Sequence, residues 1–128
     1  MGIGSWSAKD QRRFRRFRVQ DGGLVRMRSS PEKVGQLIDA SKGGLSFVSL
    51  AEPHSAHPFQ AIDLMFINRA FLLDRISVTV IYTQRLDAHW ANPNIRVLRT
   101  GVEFRDLTRY QQHNIEHFLQ DYTAASPA

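Results

Sequence analysis

The chain has 128 residues, of which 42% are hydrophobic and 23% are charged, and this composition predicts one soluble globular domain. It contains no cysteine, which excludes disulfides and thiolate metal sites. The start MGIGSWSAKD lacks the apolar core of a signal peptide, and no apolar run approaches the roughly 18 residues of a membrane span. We therefore expect a soluble cytoplasmic protein.

The net charge of +5 is concentrated at one end of the sequence. Residues 1–28 contain eight basic and two acidic residues, a balance of +6, whereas the other hundred residues contain nine basic and ten acidic ones, a balance of −1. Much of the excess lies in QRRFRRFRV, residues 11–19, which we call the arginine arm. A nucleic-acid-binding surface usually spreads Lys and Arg over a face of the fold, so this distribution is not typical of one.

Six short segments downstream of the arm have the alternation or the β-branched and aromatic content of strands. They are LVRMR (24–28), KVGQLID (33–39), GLSFVSL (44–50), FQAIDLMFI (59–67), RISVTVIYT (75–83) and NIRVLRTGVEF (94–104). Turn signals rich in Gly, Pro and Asn separate several of them. Because no helical pattern interrupts the series, we predict an all-β fold in which six antiparallel strands close into a small barrel over about residues 22–104.

One C-terminal helix is predicted over about residues 106–121, with Asp106 or Thr108 as its N-cap. The apolar face that would pack on the barrel consists of Leu107, Ile115, Phe118, Leu119 and Tyr122. We expect residues 1–10 to be flexible and residues 123–128 to form a disordered tail.

The helix also contains His113, Glu116 and His117 in the pattern H-x-x-E-H, which is typical of one class of zinc enzyme. A further ligand would be expected well downstream, and Asp121 is the only carboxylate there. A solvated helix surface is therefore the favoured interpretation, and we predict no metal, no cofactor and no catalytic residues.

The turn between the second and third predicted strands reads DASKGG and has the spacing D-x-S-x-x-G. Asp39 and Ser41 are two residues apart, so their side chains leave the strand on the same side and present a carboxylate beside a hydroxyl group. Gly43 and Gly44 permit positive φ angles and a close approach of the backbone to a ligand. Alone, this pattern is common among hairpins.

Combined with the R-x-x-x-R spacing of Arg12 and Arg16, the turn resembles the PilZ domain, a bacterial receptor module for the second messenger cyclic di-GMP. The C-terminal GVEFRDLTRYQQHNIEHFL is similar to the last strand and closing helix of that family. The resemblance covers residues 11–122 and implies a six-stranded PilZ-type barrel capped by one α-helix. The ligand-binding residues that it implies are Arg12, Arg16, Asp39, Ser41 and Gly44, with Arg13, Arg15 and Gly43 as secondary candidates.

The chemistry of these side chains suits cyclic di-GMP, which has two phosphates and two guanines. Guanidinium groups bind phosphate oxygens, or guanine O6 and N7, in a bidentate manner. The Asp39 carboxylate can accept from guanine N1–H and the exocyclic amine, and Ser41 can contact the ligand or the turn backbone. Gln11 stands where many family members have another arginine, which leaves open whether one or two ligand molecules bind. For Phe14 and Phe17 we favour packing over stacking on bases.

The leading hypothesis is a stand-alone cyclic di-GMP receptor that is not an enzyme. Residues 9–20 would become ordered over the ligand, and the protein, as a monomer or a ligand-dependent dimer, would signal to a partner protein. One alternative is a PilZ-like interaction adaptor that does not bind nucleotide. The other is a small basic β-barrel that binds nucleic acid through its arm.

Overall fold

The computed structural model describes residues 14–51, 58–66, 71–86 and 95–127, the last five of them by their backbone alone. Eight strands and one helix lie within these ranges. They are β1 (Phe17–Val19), β2 (Gly23–Met27), β3 (Lys33–Ala40), β4 (Gly44–Ala51), β5 (Ala61–Phe66), β6 (Phe71–Leu86), β7 (Arg96–Phe104), α1 (Arg109–Asp121) and β8 (Thr123–Pro127).

Strands β2 to β7 form a closed antiparallel barrel, as the sequence predicts. Their order around the barrel is β2-β5-β6-β7-β4-β3, and a pairing between β2 and β3 closes it. Strand β6 is longer than the predicted segment 75–83, because it keeps pairing with β7 as far as Leu86 opposite Val97. The β3–β4 hairpin, which carries the D-x-S-x-x-G turn, is therefore part of the barrel wall.

Two short strands that the sequence analysis does not predict extend this sheet. Strand β1 pairs with the end of β3, and β8 pairs with β1. The expected disordered tail is therefore wrong for Thr123–Pro127, which form β8. A strand added to an exposed sheet edge is held by backbone hydrogen bonds and needs no apolar pattern. The sequence TAASP therefore does not reveal that this segment forms a strand.

One edge of β3 has two partners. Its first half pairs with β2, from Lys33 opposite Met27 to Gln36 opposite Leu24, and its last two residues pair with β1. The turn between β1 and β2 contains Gly22, whose φ is 102°. Glycine adopts this conformation without steric cost, and the turn at this position lets the arm leave the barrel beside β3.

The core follows from the alternation of apolar residues along the strands. Side chains that point inward from β2 to β7 are buried, among them Val25, Leu37, Phe47, Ile62, Leu64, Ile76 and Val102. Helix α1 covers one end of the barrel with Ile115 and Phe118, which are both buried. Tyr122 stacks on Phe66 with ring centroids 4.6 Å apart. The predicted apolar face of the helix therefore packs on the barrel.

Thr108, one of the two predicted caps, begins the helix with a capping box. Its hydroxyl oxygen accepts from the Gln111 backbone N–H at 3.0 Å, and Gln111 Oε1 accepts from the Thr108 N–H at 3.1 Å. This reciprocal pair satisfies two backbone donors that a helix start leaves open. No helix in the described part of the chain is both long and apolar enough to cross a membrane.

A buried carboxylate on β5 binds two arginines of the basic N-terminal region. Asp63 is fully buried and accepts from Arg26 Nε at 2.7 Å and from Arg28 Nε at 2.8 Å. The Arg75 backbone N–H donates to the same carboxylate at 2.8 Å. Burial raises the pKa of Asp63, but the hydrogen bonds from Arg28, Arg75 and Arg26 outweigh it and lower the pKa below its ordinary value. These two arginines therefore have a structural partner.

Candidate functional site

The pairing of β1 with β3 brings the arginine arm to the D-x-S-x-x-G turn. Phe17 lies opposite Ala40 and Arg18 opposite Asp39. Arg16, the residue before β1, donates from Nη1 to Asp39 Oδ1 at 2.7 Å, and its side chain is mostly buried. The two motifs, 23 positions apart in sequence, are thus joined by a direct ion pair.

Asp39 accepts hydrogen bonds from two further side chains. Ser46, which lies opposite Asp39 on β4, donates to Oδ1 at 2.7 Å, and Arg99 on β7 donates from Nη2 to Oδ2 at 3.0 Å. Arg99 Nη2 also donates to Ser46 Oγ at 3.1 Å. With 5% of its surface exposed, Asp39 is a buried anion surrounded by donors. We call Arg16, Asp39, Ser46 and Arg99 the Asp39 cluster.

Arg99 and Ser46 are the members of this cluster that the sequence analysis misses. Neither belongs to a recognisable motif, and only the strand register brings them to Asp39. To find these two residues one would need the register of β3 with β4 and of β4 with β7, and the spacing of residues along the sequence does not give that register. The Arg99 Nε–H is buried and has no hydrogen-bond partner among the described residues.

Ser41 stabilises the turn in the structure. Its backbone N–H donates to the Gly44 carbonyl at 2.8 Å, and its hydroxyl oxygen accepts from the Gly43 N–H at 3.1 Å. The side chain is buried. Of the two contacts that the sequence left open for Ser41, ligand or turn backbone, the structure shows the second.

Gly43 and Gly44 are needed for close contacts, and neither has the positive φ that the sequence analysis allows for. A Cβ on Gly44 would lie 2.1 Å from the Val102 carbonyl oxygen on β7. A Cβ on Gly43 would lie 2.7 Å from the ring of Phe14. The glycines therefore let a neighbouring strand and an arm side chain approach the turn backbone.

The other arm residues singled out in the sequence lie in different environments or outside the described part of the chain. Arg12 and Arg13, like Gln11, lie outside the described residues. Arg15 is exposed. Phe14 packs on Gly43 and is 41% exposed, and Phe17 is half-buried. Both rings therefore lie at the edge of the fold and not in its hydrophobic core.

A tyrosine extends the surface of the cluster across β7. Gly101 lies opposite Ser46 on one side and Tyr82 of β6 on the other. A Cβ on Gly101 would lie 2.2 Å from the Tyr82 ring, so this ring rests against the sheet at a position that lacks a side chain. Tyr82 is 37% exposed and offers a flat aromatic surface next to the cluster.

The electrostatics of the site favour an anion. Two guanidinium groups share the single carboxylate of Asp39, so the cluster carries a net positive charge. The exposed Arg15, Arg18 and Lys42 lie close by in sequence and add to it. Among the residues that the structure describes, no three His, Cys, Asp or Glu side chains meet as metal ligands. Phosphate groups and guanine edges are among the groups that a guanidinium binds in a bidentate manner.

Comparison with solved structures places the fold beside known proteins. The PilZ domain of YcgR from Escherichia coli, in a structure with c-di-GMP, superposes with a TM-score of 0.65 at 12% identity, covering 88% of this chain and 91% of that one. A K. pneumonia MrkH–c-di-GMP complex gives a TM-score of 0.62 at 17% identity, with coverage of 86% and 51%.

A crystal structure of YcgR from Escherichia coli in complex with c-di-GMP gives a TM-score of 0.63 at 13% identity, covering 86% of this chain and 45% of that one. The chain thus spans about half the length of YcgR and MrkH. A comparison with curated proteins found no match. At these identities the structural likeness establishes the fold.

The family is established by the sequence itself. The model of the PilZ domain matches residues 10–121, which include the arginine arm, the D-x-S-x-x-G turn, the barrel and the helix. This match agrees with the closed barrel, its helix cap and the ion pair between the two motifs. The chain is a member of the PilZ domain family.

Proposed function

We propose that this protein is a cyclic di-GMP receptor. Its membership of the PilZ domain family and its similarity to PilZ structures that contain c-di-GMP support this function. The observation that carries the proposal is the ion pair between Arg16 and Asp39, because it joins the two motifs into one cationic site.

In this proposal, the Asp39 cluster binds one guanine and an adjacent phosphate. A carboxylate has about four acceptor positions, and Asp39 uses three of them for Arg16, Ser46 and Arg99. The fourth can accept from guanine N1–H, which adenine lacks. The remaining donors of the two arginines can bind phosphate oxygens or guanine O6 and N7. The exposed ring of Tyr82 offers a stacking surface to the base.

In the proposed function, a rearrangement of the arginine arm is the response to ligand binding. We propose that ligand binding brings residues 9–20, including Arg12 and Arg13, over the ligand and partly neutralises their charge. The altered surface would then bind an effector protein in the cytoplasm, without any catalytic step. The protein would act as a monomer or as a ligand-dependent dimer.

Isothermal titration calorimetry tests the proposal directly. Cyclic di-GMP should bind at micromolar concentration or below, whereas cyclic di-AMP and GMP should bind much more weakly. Arg16→Ala should weaken binding by about 2 kcal/mol or more, because the cluster loses a charge-assisted contact. Arg109→Ala is the matched control, since Arg109 is an exposed arginine at the start of helix α1, outside the arm and the Asp39 cluster, and should change binding by less than about 0.5 kcal/mol.

Two results would reject the receptor function. Absence of cyclic di-GMP binding would favour an interaction adaptor that has lost nucleotide binding. Binding that ignores nucleotide identity and falls steeply with salt would favour a nucleic-acid-binding barrel.

A further inference from the structure

The pairing of β1 with β3 places Arg18 on the same face of the sheet as the Asp39 cluster. Arg18 lies directly opposite Asp39, and Asp39 lies directly opposite Ser46 on β4. Residues opposite one another in an antiparallel pair point to the same side of the sheet, with their Cβ atoms about 4.5–5.5 Å apart. The Arg18 side chain therefore starts beside the carboxylate that Arg16 and Arg99 bind.

The same lateral row of residues continues across the sheet to the exposed aromatic ring. Ser46 lies opposite Gly101, and Gly101 lies opposite Tyr82. Because neighbouring strands are about 4.8 Å apart, the row from β1 to β6 spans about 19 Å along the sheet. A cation, a buried carboxylate and an aromatic ring thus share one side of the barrel wall.

Arg18 differs from the two arginines of the cluster because the protein does not use its guanidinium group. Arg16 and Arg99 both donate to Asp39. In the part of the chain that the structure describes, the Arg18 side chain makes no hydrogen bond or ion pair. The residue is exposed, so its five N–H donors are available to a ligand.

Arg15, the neighbouring exposed arginine of the arm, lies on the other side. It lines a cleft of about 460 Å³ between the arm and helix α1, together with Phe17 and Leu119. Phe17 lies opposite Ala40, one position before Arg18, so its side chain points away from the Asp39 cluster. The structure therefore separates two arginines that look equivalent in the sequence.

We propose that Arg18 binds a phosphate group of the ligand. This inference rests on the proposed function, because it names a further binding residue of the same site, outside the R-x-x-x-R pair. The Asp39 cluster contains two guanidinium groups and one carboxylate, a single net positive charge, and Arg18 raises this charge to two. The two phosphates of cyclic di-GMP carry two negative charges. A guanidinium whose donors are all available can bind phosphate oxygens in a bidentate manner.

Glutamine at position 18 or at position 15 tests this assignment, because the two substitutions remove the same charge from opposite sides of the arm. Each variant is titrated calorimetrically with cyclic di-GMP in about 0.15 M salt, where the Debye length of about 8 Å screens distant charges. Arg18→Gln should weaken binding about tenfold, as expected for the loss of a hydrogen bond to a charged group. Arg15→Gln should weaken it no more than about threefold, because only a screened attraction is lost.

A second substitution identifies the ligand group that Arg18 contacts. Arg18→Lys keeps the charge but replaces the guanidinium fork by a compact ammonium group. With protein in excess, we expect it to change the phosphorus NMR chemical shift of bound cyclic di-GMP.

Arg109→Gln, which removes an exposed arginine at the start of helix α1, is the control. It should match the wild type in affinity and in the phosphorus spectrum. Because Arg18 is exposed, thermal unfolding of both Arg18 variants should match that of this control.

Three outcomes would overturn the inference alone. These are an Arg18→Gln variant that binds as tightly as the wild type, equal losses of affinity in Arg18→Gln and Arg15→Gln, and a phosphorus chemical shift that Arg18→Lys leaves unchanged. A wild type that does not bind cyclic di-GMP would instead overturn the receptor function, and this inference with it.

Discussion

Arg16 and Arg99 share one carboxylate from opposite sides. Arg16 donates to Oδ1 of Asp39 from the arm, and Arg99 donates to Oδ2 from β7. The acid therefore determines where two guanidinium groups lie. In a site that binds an anion, such an acid has a positioning role in addition to any contact of its own with the ligand.

We therefore expect Asp39→Ala to impair both stability and binding. The substitution removes the partner of two arginines and of the Ser46 hydroxyl, which should lower the free energy of unfolding by about 1–3 kcal/mol. Affinity for cyclic di-GMP should fall at least tenfold. Urea denaturation and calorimetry measure the two effects. Asp21→Ala, which removes an exposed carboxylate, should change neither, and an unaffected Asp39→Ala would contradict the positioning role.

The two glycines of the turn should respond differently to alanine. Gly44→Ala should lower the free energy of unfolding by about 2 kcal/mol or more, because its Cβ would collide with the Val102 carbonyl oxygen in the barrel wall. Gly43→Ala should change it by less than about 0.5 kcal/mol, because its Cβ meets the exposed ring of Phe14, which can rotate away. Chemical denaturation of both variants measures the difference, and equal losses would show that Phe14 is as rigid as the strand.

The stability of the barrel should decrease in acid through Asp63. Its pKa in the folded protein is below the ordinary carboxyl value of 3.8. The stabilising effect of the charged form is therefore complete above that value and is lost as the pH falls through the lower folded-state pKa. Denaturation between pH 6 and 2 should show the free energy of unfolding decreasing at the acid end.

Asp63→Asn should remove this part of the pH dependence and should cost about 3 kcal/mol or more at neutral pH, because Arg26 and Arg28 lose their charged partner. Asp106→Asn is the control. Asp106 is exposed with φ at 48°, a conformation that asparagine tolerates, so this variant should follow the wild-type profile. If the stability of Asp63→Asn fell with pH as steeply as that of the wild type, another group would be responsible for the acid sensitivity.

Deletion of residues 123–128 should loosen the arm. Without β8, strand β1 keeps only its pairing with the end of β3. We expect amide exchange at Phe17–Val19 to accelerate and cyclic di-GMP affinity to fall several-fold, while the barrel amides keep their protection. Ser126→Ala, which preserves the backbone of β8, should exchange like the wild type. Unchanged exchange after the deletion would mean that β3 alone holds the arm.

The sequence was sufficient for the barrel and the helix. Residues that must be buried leave a visible pattern in the sequence. Examples are the alternation in GLSFVSL and the apolar face of the helix around Ile115 and Phe118. The motifs also predicted that Arg16 and Asp39 belong to one site, but not that they form an ion pair. Both features depend on patterns that are local or belong to the family.

Other parts of the site depend on long-range register, which has no local signature. Arg99 lies 60 positions from Asp39 and reaches it only because β4 separates β3 from β7 by one strand. In the same way, Arg26 and Arg28 contribute to the basic excess of the sequence, yet they belong to the buried Asp63 on another strand. Strands β1 and β8 have only three and five residues, which is too short for a periodic pattern to be recognised.

The divided edge of β3 makes the arm mechanically separate from the scaffold that carries it. Beyond Gly22, the arm meets β3 through only two residue pairs, whereas the closure of the barrel uses four other pairs between β2 and β3. Separation of the arm from β3 therefore leaves the closure of the barrel intact. Such a separation would still have to break the ion pair between Arg16 and Asp39, so the barrel can stay rigid while the arm responds to what binds at that pair.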